Sequence, residues 1–155
     1  MRPLNRRAFS LIELVIVVII IAVLAAIAIP RMSRGTEGAA GNALAEDLAT
    51  LRKAIDLYQA EHEGAYPTDP ANQLSQYTDD SGDVSPTQDA TYRFGPYLRS
   101  VPPLPVGAQI GSTVIGTSAN PGAAGVGWVY DAGSGGIKAN TTSEADASGK
   151  LYSDY

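Results

Sequence analysis

The apolar positions of this chain fall into two kinds of run, one continuous and one periodic. From Leu14 to Ile29 no side chain is polar, and the wider stretch Phe9 to Pro30, FSLIELVIVVIIIAVLAAIAIP, is interrupted only by Ser10 and Glu13. As a helix, Phe9 to Ile29 would rise roughly 30 Å at about 1.5 Å per residue, the thickness of a bilayer's hydrocarbon core. This predicts a transmembrane helix. Further on, Leu44, Leu48, Leu51, Ile55 and Tyr58 follow at alternating spacings of four and three. That spacing lays them on one face of a helix, with Glu46, Asp47, Arg52, Lys53, Asp56 and Gln59 off the stripe. A helix is expected from about Ser33 to His62, continuous or nearly so with the apolar span, with Gly64 as the residue that ends it. Its stripe reads as core.

Beyond the helix the pattern weakens. Residues 69–92 are rich in Asp, Ser, Thr, Gln and Pro, the composition of a surface loop. Prolines between Gly95 and Pro105 favour an extended, poorly paired connector, with Tyr97 and Leu98 expected under the helix. A strand is expected within Val106–Ile115, and Ser118–Gly125 is small and flexible in composition. Gly127-Trp128-Val129-Tyr130-Asp131 and Ile137-Lys138-Ala139-Asn140 flank a glycine-rich turn, which predicts a β-hairpin. Trp128 reads as core behind the helix stripe. Thr141–Tyr155 is polar and reads as a frayed tail or edge. The expected class is α+β: a long N-terminal helix, transmembrane in its first half, on a small antiparallel sheet. The expected segments are a leader (1–8), a transmembrane and assembly helix (9–30), an amphipathic helix (31–63), and a loop region with the C-terminal sheet (64–155).

Composition narrows the chemistry. The chain of 155 residues has a formal net charge of −5, and loss of Met1–Ala8 with its three arginines leaves −8. An acidic domain gives no reason to expect nucleic-acid binding. With no cysteine and His62 as the one histidine, neither disulfides nor soft-metal sites are supported. Asp79, Asp80, Asp83 and Asp89 are the calcium candidates, but they lack the spacing and glycine of an EF-hand loop, and a solvated loop is the simpler reading. No phosphate loop, G-x-S-x-G, H-E-x-x-H or dinucleotide fingerprint is present, so no enzyme and no cofactor is expected. His62, between Glu61 and Glu63, reads as a solvated helix-capping residue.

Two features of the N-terminus remain. A short basic leader, MRPLNRRA, precedes the apolar run, and Glu13 lies inside its first turns. A carboxylate in an apolar span is costly, about 2.5–3.5 kcal/mol at mid-membrane, and calls for a partner. Cutting between Ala8 and Phe9 would create an α-amine four residues before Glu13, able to meet it in the same helix or on a staggered neighbour.

With those residues, RRAFSLIELVIVVIIIAVLAAIAIP resembles the N-terminus of type IV pilins and of type II secretion pseudopilins. The resemblance is specific over residues 6–30. It implies prepilin peptidase cleavage between Ala8 and Phe9, N-methylation of Phe9, assembly through Glu13 and a helix proline at Pro30. The family normally has glycine where this chain has Ala8. Gly64-Ala65-Tyr66-Pro67, the Pro96-Tyr97-Leu98 connector and the hairpin residues Trp128, Tyr130, Asp131, Ile137, Ala139 and Asn140 resemble major pseudopilins. Lack of cysteine points the same way, since many pilins close a C-terminal loop with a disulfide.

The resemblance further implies a homo-oligomeric filament in the bacterial envelope and a single-pass inner-membrane subunit with its C-terminal domain in the periplasm. The implied partners are an inner-membrane assembly platform, an ATPase and minor pseudopilins. Competing readings are a secretory signal with Ala26-Ile27-Ala28 as its cleavage motif, a twin-arginine signal and a plain signal anchor. A type IV pilus subunit and a non-polymerising membrane-tethered binding domain are the functional alternatives. Gly35, Gly38 and Gly41 with Pro30 mark the weakest helical segment, read either as close packing or as a part that extends in a filament.

Overall fold

The computed structural model describes the backbone of residues 9–117, 122–146 and 148–155, and side chains over the same ranges except 27–37. The chain divides into two compact units, Met1–Thr36 and Glu37–Tyr155. Helix α1, Leu11–Glu61, contributes to both.

In the first unit the apolar side chains from Phe9 to Leu24 are exposed on every side. Among the described residues, no helix is long and apolar enough to cross a membrane. This overturns the expected transmembrane half, and with it the single-pass inner-membrane topology. Glu13, in the first turn of the helix, interrupts the apolar run, and its bond from the Ser10 amide keeps that end polar.

In the second unit the periodic stripe does what its spacing predicts. Leu44, Leu48, Leu51, Ile55 and Tyr58 are at most 3 % exposed and form the core with Leu74, Leu98, Leu104, Trp128, Tyr130 and Ile137. The helix ends through a backbone bond from the Gly64 amide to the Gln59 carbonyl at 2.9 Å, with Glu63 in the left-handed region at φ 55°. The expected Gly64 is also at positive φ, 88°, so both residues of the Glu63-Gly64 stop close the helix, with Glu63 the first to turn left-handed.

The 69–92 stretch is more ordered than its composition suggests. It holds α2 (Pro70–Gln73) and the antiparallel pair β1 (Tyr77–Thr78) and β2 (Val84–Ser85). Asp69 caps α2, Pro70 starts it, and the buried Gln73 side chain donates to the Gly82 carbonyl at 2.7 Å. Tyr97 and Leu98 lie as expected: both amides donate to the Leu74 carbonyl, and the Tyr97 hydroxyl donates to Glu61 at 2.6 Å.

A three-stranded sheet runs β3-β4-β5, with β3 at Ile115–Thr117, β4 at Trp128–Asp131 and β5 at Gly136–Ala139. The expected hairpin is β4–β5, with Trp128 opposite Ala139 and Tyr130 opposite Ile137. But β3 is parallel to β4, so the sheet is mixed and the purely antiparallel expectation is corrected. Glycine permits this approach: a Cβ at Gly127 would collide with the Ser112 carbonyl oxygen. Most of Val106–Ile115 is not a strand. It is a loop closed by bonds from Leu104 to Ser112 and from Gly111 to Leu104.

Nor is Thr141–Tyr155 a frayed tail. Leu151 bridges Ala145, Tyr152–Asp154 forms a 3₁₀ turn, and Tyr152 is buried. Tyr155 packs where Gly41 leaves room, its hydroxyl 3.2 Å from the position a Cβ would take. Gly38 faces open space. The side chains around Pro30 and the environment of Gly35 lie outside the described residues.

Candidate functional site

The site begins at the start of α1. Ser10 is its N-cap and Glu13 stands three residues later, the spacing of a capping box. One carboxylate oxygen of Glu13 accepts the Ser10 amide at 2.9 Å. Glu13 therefore has a partner within its own chain, which the sequence reading overlooked. The signal was present as Ser10-Leu11-Ile12-Glu13. A carboxylate here also faces the positive end of the helix dipole, a second reason for its position.

Around that start the surface is apolar. Phe9 is 78 % exposed, and Leu11, Leu14, Ile16, Ile20 and Leu24 are exposed too. Large contiguous apolar surfaces of this kind mark interaction sites. Phe9 and Glu13 thus sit at one end of the same uncovered helix. Ala8 and the side chain of Pro30, the other two expected site residues, lie outside the described residues.

The second unit contains no comparable surface chemistry. Among the described residues no group of three or more His, Cys, Asp or Glu side chains is placed to hold a metal ion. Three of the four calcium candidates have other tasks. Asp79 accepts the amides of Ser81 and Asp83, both at 2.9 Å, and the Ser81 hydroxyl at 2.8 Å. Asp80 pairs with Arg93 at 2.6 Å, and Asp89 accepts the amides of Thr91 and Tyr92. The Asp79 turn has a counterpart. Asp146 accepts the Ser148 amide at 2.8 Å, the Ser148 hydroxyl at 2.6 Å and the Lys150 amide at 3.0 Å. Each turn has glycine at positive φ in the same place, Gly82 and Gly149. The Ser81 hydroxyl first, with the turn amides behind it, holds the Asp79 carboxyl below its usual range. The Ser148 and Tyr155 hydroxyls do the same for Asp146.

Several residues that hold the second unit together carry no obvious sequence signal. Arg52 donates to the Tyr155 carbonyl at 3.1 Å and to the Ile137 carbonyl at 3.3 Å. Asn140 donates to the Ala123 and Val126 carbonyls at 3.0 and 2.8 Å, fixing the loop before β4. Glu144 accepts the amides of Thr142, Ser143 and Ala108, and these hold its carboxyl down at about 2. His62 is buried, contrary to its expected place in solvent. Burial pushes the Tyr130 hydroxyl up to about 12. The bonded groups tie the domain together, whereas the buried Tyr130 hydroxyl has no hydrogen-bond partner among the described residues; none of these groups forms a nucleophile–base pair.

Residues 3–29 match the prokaryotic N-terminal methylation motif, which is typical of type IV pilin and pseudopilin N-termini. No curated protein and no solved structure gives a significant match to the chain. The processing signal and the uncovered start of α1 therefore coincide on the same residues.

Proposed function

We propose that this chain is a filament subunit, and that the filament is the pseudopilus of a type II secretion system. The carrying observation is the coincidence of the methylation motif over residues 3–29 with an apolar helix exposed from Phe9 to Leu24. A cut after Ala8 would place a methylated amine on Phe9, at the head of that helix. Packing against the same helix of other copies would remove its apolar surface from water, at roughly 25 cal/mol per Å² buried. The Glu13 carboxylate would then exchange its bond to the Ser10 amide for the Phe9 amine of a neighbour. A prepilin peptidase, an assembly platform with its ATPase, and minor pseudopilins are the partners this reading requires. The choice of pseudopilus over pilus is supported by the absence of cysteine and by the hairpin residues from Trp128 to Asn140. The protein's work is assembly, with no catalytic role.

Co-expression with a prepilin peptidase tests the first step. Intact-mass spectrometry should give a chain starting at Phe9 with a methylated amine. A chain left at Met1, or one starting at Ile29, overturns the proposal. Addition of the assembly machinery should give filaments by electron microscopy.

A further inference from the structure

His62 closes the last turn of the helix and is 5 % exposed. Its ring stacks on Tyr58 at 3.8 Å between centroids, with 4° between the planes, and the Phe94 ring lies at 5.0 Å. Each ring nitrogen faces a carbonyl oxygen. Nδ1 is 2.9 Å from the Tyr58 carbonyl and Nε2 is 3.0 Å from the Asp79 carbonyl. A carbonyl oxygen only accepts, and a neutral imidazole has one N–H to give. In either neutral tautomer one nitrogen lone pair would point at an oxygen lone pair, buried away from water. Two ring protons satisfy both contacts. Each carbonyl has capacity for the extra donor: Tyr58 otherwise accepts the His62 amide at 3.0 Å, and Asp79 accepts the Gly82 amide at 3.1 Å.

The surroundings suit a cation. Aromatic faces attract positive charge. The last helical residue, Glu61, has its carboxylate bonded to the Tyr97 hydroxyl, and the exposed Glu63 follows His62 in sequence. From the turn comes Asp79. Burial first, and then the charge of Asp79, raise the Tyr58 hydroxyl above its ordinary value. The opposing charge is Arg93, over the outer Phe94 ring and paired with Asp80.

We propose that His62 carries protons on both ring nitrogens and acts as a proton-dependent latch between the end of the helix and the Asp79–Asp83 turn. Loss of one proton turns a ring lone pair against the Asp79 carbonyl. The Tyr58 carbonyl sits in the last turn of the helix and cannot move away, whereas the Asp79 carbonyl can swing off the ring by opening its bond from the Gly82 amide, while the Gln73 side chain keeps its hold on the Gly82 carbonyl. The subunit surface at this turn is thus tied down in acid and loosened in alkali.

The test uses the full-length chain, ¹⁵N-labelled and kept monomeric in detergent. One histidine in the chain makes the ring signals unambiguous. At about pH 5 both ring N–H protons should be observed directly, protected from solvent exchange. On titration toward about pH 9 one should disappear, and exchange of the Gly82 amide, corrected for intrinsic base catalysis, should quicken about tenfold with the same midpoint. His62→Gln should remove that linked change at Gly82. Rapidly exchanging ring protons at pH 5, or Gly82 protection that ignores the titration, would overturn the latch.

Discussion

Two stretches of one helix make opposite use of apolar residues. From Phe9 to Leu24 the large apolar side chains are 41–80 % exposed, while from Leu44 to Tyr58 the stripe is at most 3 % exposed. Composition does not explain the difference, because the exposed stretch is the more apolar one. Pattern does. A stripe on one face can be covered by a small sheet and its connectors, leaving charged residues in water. A helix apolar on every side cannot be covered by one neighbour, and its described side chains stand exposed. The second stretch is solved by folding; the first is left open.

The strongest way to break that comparison is at Glu13. Glu13→Leu removes both the charge and the acceptor for the Ser10 amide, and filament yield should drop by more than about tenfold while the mass of the processed chain stays that of a Phe9 start. Glu13→Gln keeps an acceptor at the capping position but no charge. If the charge directs docking, Gln should fail as Leu does. Normal filaments from the Gln variant would reduce Glu13 to a helix cap.

The next contrast is energetic. Trp128→Ala should destabilise the second unit by about 3–5 kcal/mol and Leu48→Ala by about 2–5 kcal/mol, since both are fully buried. Trp128 also loses the bond from its ring nitrogen to the Pro102 carbonyl at 2.8 Å. Ile20→Ala, on the uncovered stretch, should stay within about 0.5 kcal/mol in the monomer. Urea unfolding followed by Trp128 fluorescence for the Leu48 and Ile20 variants, and by circular dichroism for Trp128→Ala, gives these values. A large loss for Ile20→Ala would mean that the first stretch is covered within the chain.

Acid should separate the two stretches next. Asp79, Asp131, Glu144 and Asp146 are all held below their ordinary carboxyl values, chiefly by Ser81, Ser134, the Thr142 amide and Ser148 respectively. A carboxyl depressed in the folded state contributes stability above its unfolded value and loses it as pH falls through the folded one. For Glu144 that window runs from 4.5 down to about 2. The contribution of these carboxyls to the urea midpoint should therefore be complete above about pH 5 and be lost below about pH 4. Four carboxyls at exposed turns give a gradual decline. A midpoint that stays constant to pH 2 would show that these turns persist in the unfolded chain.

The smallest effect is at the helix end. Glu63 occupies a left-handed conformation that disfavours a side chain by roughly 1–2 kcal/mol. Glycine relieves this but adds freedom to the unfolded chain. Glu63→Gly should thus gain only about 0.5 kcal/mol, read as a small rise in the urea midpoint. A loss would show that the Glu63 side chain contributes where its backbone does not.

The helix stripe was legible because burial on one face imposes a period, and the β4–β5 hairpin because a glycine-rich turn joins strands close in sequence. His62 continues the same stripe, four residues after Tyr58, yet reads as polar between two glutamates. Its burial depends on carbonyl oxygens at Tyr58 and Asp79, and the second comes from a turn that the helix pattern cannot announce. Tyr155 is similar: it reads as tail, but Gly41 and the Asp146 carboxylate, to which its hydroxyl donates, give it a place.

By itself, then, the sequence determined what is local: the helix with its buried face, the capping box at Ser10 and Glu13, the hairpin, and the processing motif at the N-terminus. Each follows from residues within a few turns or one loop of each other. Tertiary structure alone decided the parallel placement of β3, the ordered ending from Glu144 to Tyr155 and the burial of His62. These depend on backbone groups meeting across long separations in the chain. A backbone carbonyl or amide is the same at every residue, so no side-chain pattern records where it will be needed.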